Sequence, residues 1–235
     1  MMSSEKKTDK INFFMKTLLE LQDIYLNYKS ENSAVEVIRG INLQITSKER
    51  VAIVGKSGSG KTSLIMLIAG LERLSSGKIL FDGDDISQLS EDALSDIRKT
   101  KIGIVFQSFY LIPNYTALEN VSLVLEINHI EKAKEKAKEL LEQFGLGHRL
   151  HHFPSQLSGG EQQRVAIARA MVLKPKLILA DEPSGNLDTE NSSIIIKLLF
   201  DYTKNNNTAL ILVTHDASLA GQCDRIIEIK DGKII

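Results

Sequence analysis

A chain of 235 residues can form one large domain, or one domain that carries a built-in subdomain. Its net charge of -1 argues against a basic nucleic-acid-binding surface, and its single cysteine, Cys223, excludes an internal disulfide. The apolar runs are far shorter than the roughly 20 residues that a membrane-spanning helix needs, so no such helix is predicted.

The N-terminal residues 1–14 are expected to form a disordered extension ahead of one domain, residues 15–235. Lysines precede the apolar stretch 11–14, as they do in a signal peptide. However, Lys16 follows at once, and no small-residue cleavage site comes after it. Regular alternation of apolar and polar residues begins just after Met15. Met15 is therefore a second candidate start of translation, beside Met1.

The next stretch predicts antiparallel β-structure. Apolar residues alternate from 19 to 28, a polar turn covers 30–33, and alternation resumes from 35 to 45. A further short strand is predicted at 78–81, ahead of the turn formed by Asp82, Gly83 and Asp84.

Four short apolar strands then alternate with helical stretches, which is typical of a parallel sheet covered on both faces. They are predicted at 51–54, 102–106, 177–180 and 209–213. Ligands of such sheets bind beyond the carboxyl ends of the strands. The groups that follow these four ends suit phosphate, metal and water: a glycine-rich loop at Gly55, then Gln107, then Asp181 with Glu182, and then Thr214 with His215.

Residues 113–172 are predicted to be largely helical. Thr116 and Glu119 form a capping box, and a Lys/Glu-rich helix at 131–144 ends at Gly145. The charges of that helix indicate a solvated face. Another helix is expected at 190–203, followed by a terminal hairpin at 225–234.

The glycine-rich loop, residues 55–62, fits the P-loop pattern G-x-x-x-x-G-K-[ST] between a strand and a helix. Its glycines let backbone N–H groups surround phosphate oxygens, and the following helix points its positive end at them. Lys61 is expected to neutralise the β- and γ-phosphates and Thr62 to bind Mg²⁺. The candidate nucleotide-binding residues of this region are Gly55, Ser57, Gly58, Ser59, Gly60, Lys61, Thr62 and Ser63.

The strand at 177–180 ends in two carboxylates, Asp181 and Glu182. Downstream of a P-loop, Asp181 is expected to hold Mg²⁺, through water, and Glu182 to orient or deprotonate the attacking water.

The segment Leu157-Ser158-Gly159-Gly160-Glu161-Gln162-Gln163-Arg164 predicts a second phosphate-binding helix start. Ser158 and Glu161 form a capping box. Adjacent glycines at a first turn cost a helix about 1 kcal/mol each relative to alanine, so a close approach of the backbone to phosphate would explain Gly159 and Gly160. Two such helix starts in one chain indicate a nucleotide held between two subunits.

From about Leu18 to its C-terminus the chain resembles the ATP-binding cassette (ABC) ATPases, whose signature LSGGQ is matched at 157–161 (the signature segment) with Glu161 in place of Gln. The resemblance implies an α/β P-loop NTPase fold with an N-terminal antiparallel β subdomain and an inserted helical subdomain. It also implies a homodimer that binds ATP and Mg²⁺, and a separate membrane permease rather than nucleic acid as partner.

The resemblance assigns roles residue by residue. Gln107 would sense the γ-phosphate and Mg²⁺, His215 would contact the γ-phosphate, and Asp188 would lie at the dimer interface. Tyr28 would stack on adenine, although nearby Tyr25 and a core-filling role remain alternatives. The implied catalytic residues are Glu182, His215, Gln107 and Lys61; the implied Mg²⁺ residues are Thr62, Gln107 and Asp181; and Ser158, Gly159, Gly160 and Glu161 would contact the partner copy's nucleotide.

Residues 106–121 and 181–188 resemble more narrowly the lipoprotein-release and macrolide-export branch, the LolD-, MacB- and YbbA-like subunits, with Ser184 where Thr is usual. In relatives the segment 109–112 contacts the membrane subunit; here it is equally open to a core role. A cytoplasmic position on the inner face of the cell membrane is expected. A DNA-repair or translation ATPase, and a cell-division regulator, remain alternative functions.

Overall fold

The computed structural model describes residues 16–30 and 33–235, so the predicted extension 1–14 lies outside the described residues. In the described part, strands near the N-terminus form a four-stranded antiparallel sheet in the order β2-β1-β4-β5. Its members are β1 (Thr17–Ser30), β2 (Ser33–Thr46), β4 (Ser76–Phe81) and β5 (Asp84–Asp85). This sheet confirms the antiparallel β-structure predicted from the alternation.

A six-stranded sheet lies at the centre, in the order β10-β9-β3-β8-β7-β6. The four predicted parallel strands are all present, as β3 (Arg50–Val54), β6 (Ile102–Val105), β7 (Leu177–Asp181) and β8 (Ala209–Val213). The predicted terminal hairpin is formed by β9 (Arg225–Lys230) and β10 (Lys233–Ile234). In addition, β9 pairs with β3 in parallel, which the sequence interpretation did not include.

Helices cover both faces of the sheet: α1 (Lys61–Ile68), α2 (Glu91–Lys101), α3 (Ala117–Glu126), α4 (Ala133–Gln143), α5 (Gly159–Met171), α6 (Thr189–Asn206) and α7 (Ala217–Ala220). The region predicted as helical contains α3, α4 and α5, joined by turns that include two short 3-10 segments, Gly147–Arg149 and Pro154–Gln156. Within residues 16–30 and 33–235, no helix has the length and apolar character needed to cross a membrane.

The sequence interpretation missed α2 and α7. In α2 only Leu94 is buried, so the helix lacks the apolar stripe on which periodicity depends. Its N-cap, Ser90, accepts a hydrogen bond from the Ala93 N–H, which is a weaker sequence signal than an apolar face. The four-residue α7 is too short to show a period.

The central strands are apolar throughout because they separate two hydrophobic cores. On β8, Ile211 and Val213 face the core shared with the antiparallel sheet and α1, while Leu210 and Leu212 face the core shared with α3 to α6. Successive side chains of a strand point to opposite faces, so a strand buried on both sides has no polar position.

Asp82 ties the antiparallel sheet to the central sheet. It sits in the β4–β5 turn in the left-handed region, with φ 55°, and its Oδ1 accepts a hydrogen bond of 2.8 Å from Lys16 Nζ. Its Oδ2 pairs with Lys176, which directly precedes β7. These two hydrogen bonds lower the pKa of Asp82 to about 2.

We expect Asp82→Asn to lower the free energy of unfolding by about 1 kcal/mol at pH 7, because solvent screens the two exposed lysines. Asparagine also tolerates a positive φ, so the backbone is not strained. Since the folded-state pKa is depressed, the contribution is present above the unfolded-state pKa and lost as the pH falls towards 2. Denaturant unfolding of the variant and the wild type, from pH 7 downwards, measures both effects.

The control is Asp84→Asn at the start of β5, two residues further along the chain, where the side chain is exposed. An equal loss in both variants, or a difference for Asp82→Asn that stays constant down to pH 3, would contradict this account.

Candidate functional site

The register of the parallel strands brings their carboxyl ends to one edge of the central sheet. Val213 at the end of β8 pairs with Ile53 of β3 on one side and with Asp181 of β7 on the other. Val105 of β6 pairs with Ala180 of β7. The residues that follow these positions therefore emerge side by side, as predicted from the four strand ends.

A cleft of about 590 Å³ opens at this edge. It is lined by residues from every one of the four strand ends, together with Val37 of β2: Gly55, Ser57, Gly58, Gly60, Lys61, Thr62, Ser63, Gln107, Asp181, Glu182, Val213 and His215. The structure thus brings together most of the residues predicted to bind and hydrolyse a nucleotide.

The P-loop has a backbone that requires glycine at two positions. Gly55 has φ 147°, and a Cβ there would lie 2.2 Å from the carbonyl oxygen of Ile229 in β9. Gly60 has φ 104°, and a Cβ there would lie 2.9 Å from Ile38 Cδ1. The loop is therefore held between β9 and β2, which fixes the start of α1 relative to the sheet.

Lys61 already points back over this loop. Its Nζ donates hydrogen bonds to the carbonyl oxygens of Gly55, at 2.9 Å, and Lys56, at 2.8 Å. Ser59, by contrast, does not line the cleft; its hydroxyl is buried and has no hydrogen-bond partner within the described residues. Ser59 contributes to the loop through its backbone: its N–H donates to the Lys56 carbonyl oxygen at 3.2 Å, and its carbonyl oxygen accepts from the Gly232 N–H at 3.1 Å.

Thr62 and Asp181 form the oxygen-rich floor of the cleft. Burial raises the pKa of Asp181, while a hydrogen bond with Thr62 and the charge of Lys61 oppose that rise. A hydroxyl, a carboxylate and the nearby amide of Gln107 are oxygen donors of the kind that Mg²⁺ prefers. The donor set therefore fits the predicted metal.

Glu182 lies in the left-handed region, with φ 48°, and its carboxylate accepts a hydrogen bond from His215. The His215 Nδ1 lies 2.8 Å from Oε2 and 3.0 Å from Oε1. This hydrogen bond and the carboxylate charge raise the pKa of His215. The pair also borders a second open cleft of about 790 Å³ beside α6, so it forms a wall between the two.

Two functional contacts were missed by the sequence interpretation. Asn186 Oδ1 accepts a hydrogen bond of 3.0 Å from Gln107 Nε2, and so ties the end of β6 to the loop after β7. Gln163, fully buried in α5, donates to the carbonyl oxygens of Phe106, at 3.2 Å, and Pro183, at 2.6 Å. Both contacts form because the ends of β6 and β7 are neighbours in the folded sheet. No local sequence pattern shows that these two strands are neighbours.

The signature segment starts α5 as predicted. Ser158 accepts from the Glu161 N–H, and Glu161 accepts from the Ser158 N–H, so the capping box is confirmed. Packing within the chain gives a further reason for one of its two glycines. A Cβ at Gly160 would lie 2.2 Å from Asn191 Oδ1 of α6, so packing within the chain already requires glycine there. At Gly159 a Cβ would make ordinary contacts, and the expectation of a close phosphate approach applies to that residue.

Several candidate residues lie away from the cleft. Ser158, Gly159, Gly160, Glu161, Asp188 and Tyr28 are not among its lining. Asp188 is the N-cap of α6 and accepts hydrogen bonds from Asn191, the residue that packs on Gly160. Tyr28 is 46% exposed and donates to Glu72 Oε2 at 3.0 Å, so it is not a core-filling residue.

This chain is similar to ATP-binding cassette proteins in both sequence and structure. The ABC transporter family matches residues 38–185. The lipoprotein-releasing system ATP-binding protein LolD of Geobacter metallireducens is 44% identical over 94% of this chain and 99% of its own length. An uncharacterized ABC transporter ATP-binding protein of Thermotoga maritima is 44% identical over 94% of each chain.

Among solved structures, the dimeric post-hydrolysis state of the ATP-binding cassette MJ0796, bound to ADP and Pi, superposes with a TM-score of 0.87. It is 38% identical, and the match covers 92% of this chain and 96% of that one.

The Glu182–His215 contact predicts a titration that can be observed directly. We expect Glu182→Gln to lower the pKa of His215, because the variant loses the carboxylate charge that stabilises the imidazolium. Titration of the histidine ring protons by NMR measures this shift, with the His215→Ala spectrum assigning the signal. An unchanged His215 pKa in Glu182→Gln would show that the contact is not populated in solution.

Proposed function

Because this chain belongs to the ABC transporter family, we propose that it couples ATP hydrolysis to the extraction of lipoproteins by a separate membrane subunit. The chain is an ATP-binding ATPase. The observation that carries its chemistry is the convergence of four strand ends on one cleft, where Lys61, Asp181, Glu182 and His215 meet. Lipoproteins as cargo are supported by the similarity to LolD proteins over nearly the whole chain.

Within the cleft, Lys61 and the loop amides bind the β- and γ-phosphates in this proposal. Thr62, Asp181 and Gln107 would hold Mg²⁺, which neutralises charge on the phosphate oxygens when it is bound. The Lys61 ammonium group now donates to two carbonyl oxygens of the P-loop. It would exchange these hydrogen bonds for hydrogen bonds to the oxygens of a phosphate bound at the same loop.

Hydrolysis then requires an in-line attack by water on the γ-phosphorus. Glu182 accepts the proton of that water as the new P–O bond forms and the bond to the ADP oxygen breaks. His215 would turn from Glu182 towards the γ-phosphate, where its N–H stabilises charge on the transferred group. The carboxylate is thereby freed for the water.

The second half of each site would come from another copy. The signature segment does not line the cleft of its own chain, although it begins a helix whose first-turn N–H groups and positive end suit a phosphate. Two copies paired head to tail would bring Ser158 and Gly159 of one copy to the nucleotide of the other, with Asp188 at the seam and Tyr28 against adenine. The similar cassette in its dimeric ADP- and Pi-bound form supports this arrangement.

We expect Glu182→Gln to bind ATP normally and to dimerise with it, but to lose about 10²–10⁴-fold in turnover, because the amide cannot accept the proton. Steady-state phosphate release and light scattering with ATP and Mg²⁺ measure the two properties. The comparison variant is Lys61→Ala, which should lose nucleotide binding as well. Normal turnover in Glu182→Gln would refute the assignment of the base.

The membrane partner would bind beside the end of β6, and the chain would then lie on the inner face of the cell membrane. Segment 109–112 was open to a core role and to contact with the membrane subunit, and its residues divide between the two. Leu111 packs against the core shared with α3 to α6, whereas Tyr110 is 67% exposed. The carbonyl oxygens of Phe109 and Tyr110 accept hydrogen bonds from Arg169, and the Tyr110 ring packs edge-on against Phe106 with the two ring centroids 5.2 Å apart.

We expect Tyr110→Ser to weaken co-purification of the membrane subunit while leaving the ATPase of the isolated chain unchanged. An exposed aromatic anchor contributes to an interface without touching the cleft. Affinity purification from detergent-solubilised membranes measures the recovered partner, with Ile194→Ser on the outer face of α6 as control. Equal recovery with Tyr110→Ser and wild type would remove Tyr110 from the interface.

A further inference from the structure

Glu161 replaces the usual glutamine of the signature segment and carries a charge into a nearly closed site. Its side chain is only 12% exposed. One carboxylate oxygen, Oε2, accepts the Ser158 N–H at 2.8 Å, as a glutamine oxygen would. The other oxygen, Oε1, accepts from Arg149 Nε, also at 2.8 Å. The added charge therefore has one close cationic partner among the described residues.

Arg149 is positioned by its own short segment for this contact. It closes the 3-10 segment Gly147–Arg149, and its backbone N–H donates to the Leu146 carbonyl oxygen at 2.9 Å. Its Nη1 lies 3.2 Å from His152 Nε2. His148 Nε2 lies 3.9 Å from Glu161 Oε1, beyond hydrogen-bond distance. Arg149 is thus fixed on both sides, and the loop before the signature segment is tied to the first turn of α5.

The electrostatics explain why a cation is needed there. Burial raises the pKa of Glu161, but the hydrogen bonds from Ser158 and Arg149 outweigh it, and the pKa lies below its ordinary value. The group therefore stays ionised. An unpaired carboxylate in the first turn would oppose a triphosphate that approaches the same helix start, because the interaction of two anions is strong where water is excluded.

We propose that Arg149 is a positioning residue for the second half of the ATP site: by pairing with Glu161, it holds the first turn of α5 in place and cancels a negative charge that would repel the partner copy's triphosphate. The inference rests on the proposed two-copy site. It also explains why Glu161 is tolerated where the family usually has a neutral glutamine. Arg149 acts through Glu161 and touches no reacting atom.

A double-mutant cycle tests this proposal, with the Glu182→Gln variant of the full chain as the background that retains the ATP-bound dimer. The quantity measured is the dimer dissociation constant with ATP and Mg²⁺, obtained by sedimentation velocity. We expect Arg149→Met to weaken the dimer about 10- to 100-fold, because it leaves a buried carboxylate without its charged partner. In a Glu161→Gln background, the same Arg149→Met change should weaken it about twofold or less.

Arg149→Lys keeps the positive charge but loses the planar donor group, and should fall between wild type and Arg149→Met. It remains informative if Arg149→Met folds poorly, which thermal unfolding reports. Lys138→Ala is the matched control: it removes an ion pair with Glu142 in the same region, but both of its side chains are exposed. No change in dimer affinity is expected for that control.

The readouts separate positioning from general damage. ATP binding to the monomeric Arg149→Met chain should stay within about twofold of wild type, because the P-loop follows β3 of the central sheet, whereas Arg149 lies in the helical region. Equal weakening of the dimer by Arg149→Met with Glu161 or with Gln at position 161, or no weakening at all, would overturn the proposal. If the Glu182→Gln chain forms no dimer with ATP, the proposed two-copy site itself fails. That result is distinct from the two outcomes that would overturn the role of Arg149 alone.

Discussion

The pairing register of the parallel strands is the constraint on which the site depends. Val213 stands beside both Ile53 and Asp181, so loops that are distant in sequence leave the sheet at the same level. A slip of one residue in any of these strands would turn its side chains to the opposite face and exchange the two cores. Because every residue of β8 is apolar, a slip of this strand would bury no polar side chain. It would still be unfavourable, because the displaced side chains would not fit the close-packed cores.

Much of this arrangement could be predicted from local patterns. Short apolar runs predicted β3, β6, β7 and β8, and the residue types after them predicted the lining of the cleft. Capping boxes at Thr116 and Ser158 located two helix starts to the residue. These signals work because each is a hydrogen-bonding or burial requirement satisfied within a few residues of chain.

The rest depends on contacts between distant segments. Gln163 looks like an ordinary polar residue of an amphipathic helix, yet it is buried against the ends of β6 and β7. Gly160 suggested a close approach of the backbone to phosphate, yet the contact with Asn191 of α6 is itself a sufficient reason for a glycine at this position. Arg149 lies twelve residues before its partner Glu161, in a stretch with no periodic signal. In each case the deciding neighbour comes from another element.

The central claim is that one triphosphate is held by the P-loop of one copy and by the signature segment of a second. A crystal structure of the Glu182→Gln chain with ATP and Mg²⁺ tests it most directly. The account predicts two nucleotides per pair, each in contact with Lys61 of one copy and with Ser158 of the other. A pair in which each nucleotide touches a single copy, or in which Ser158 faces solvent, would contradict it.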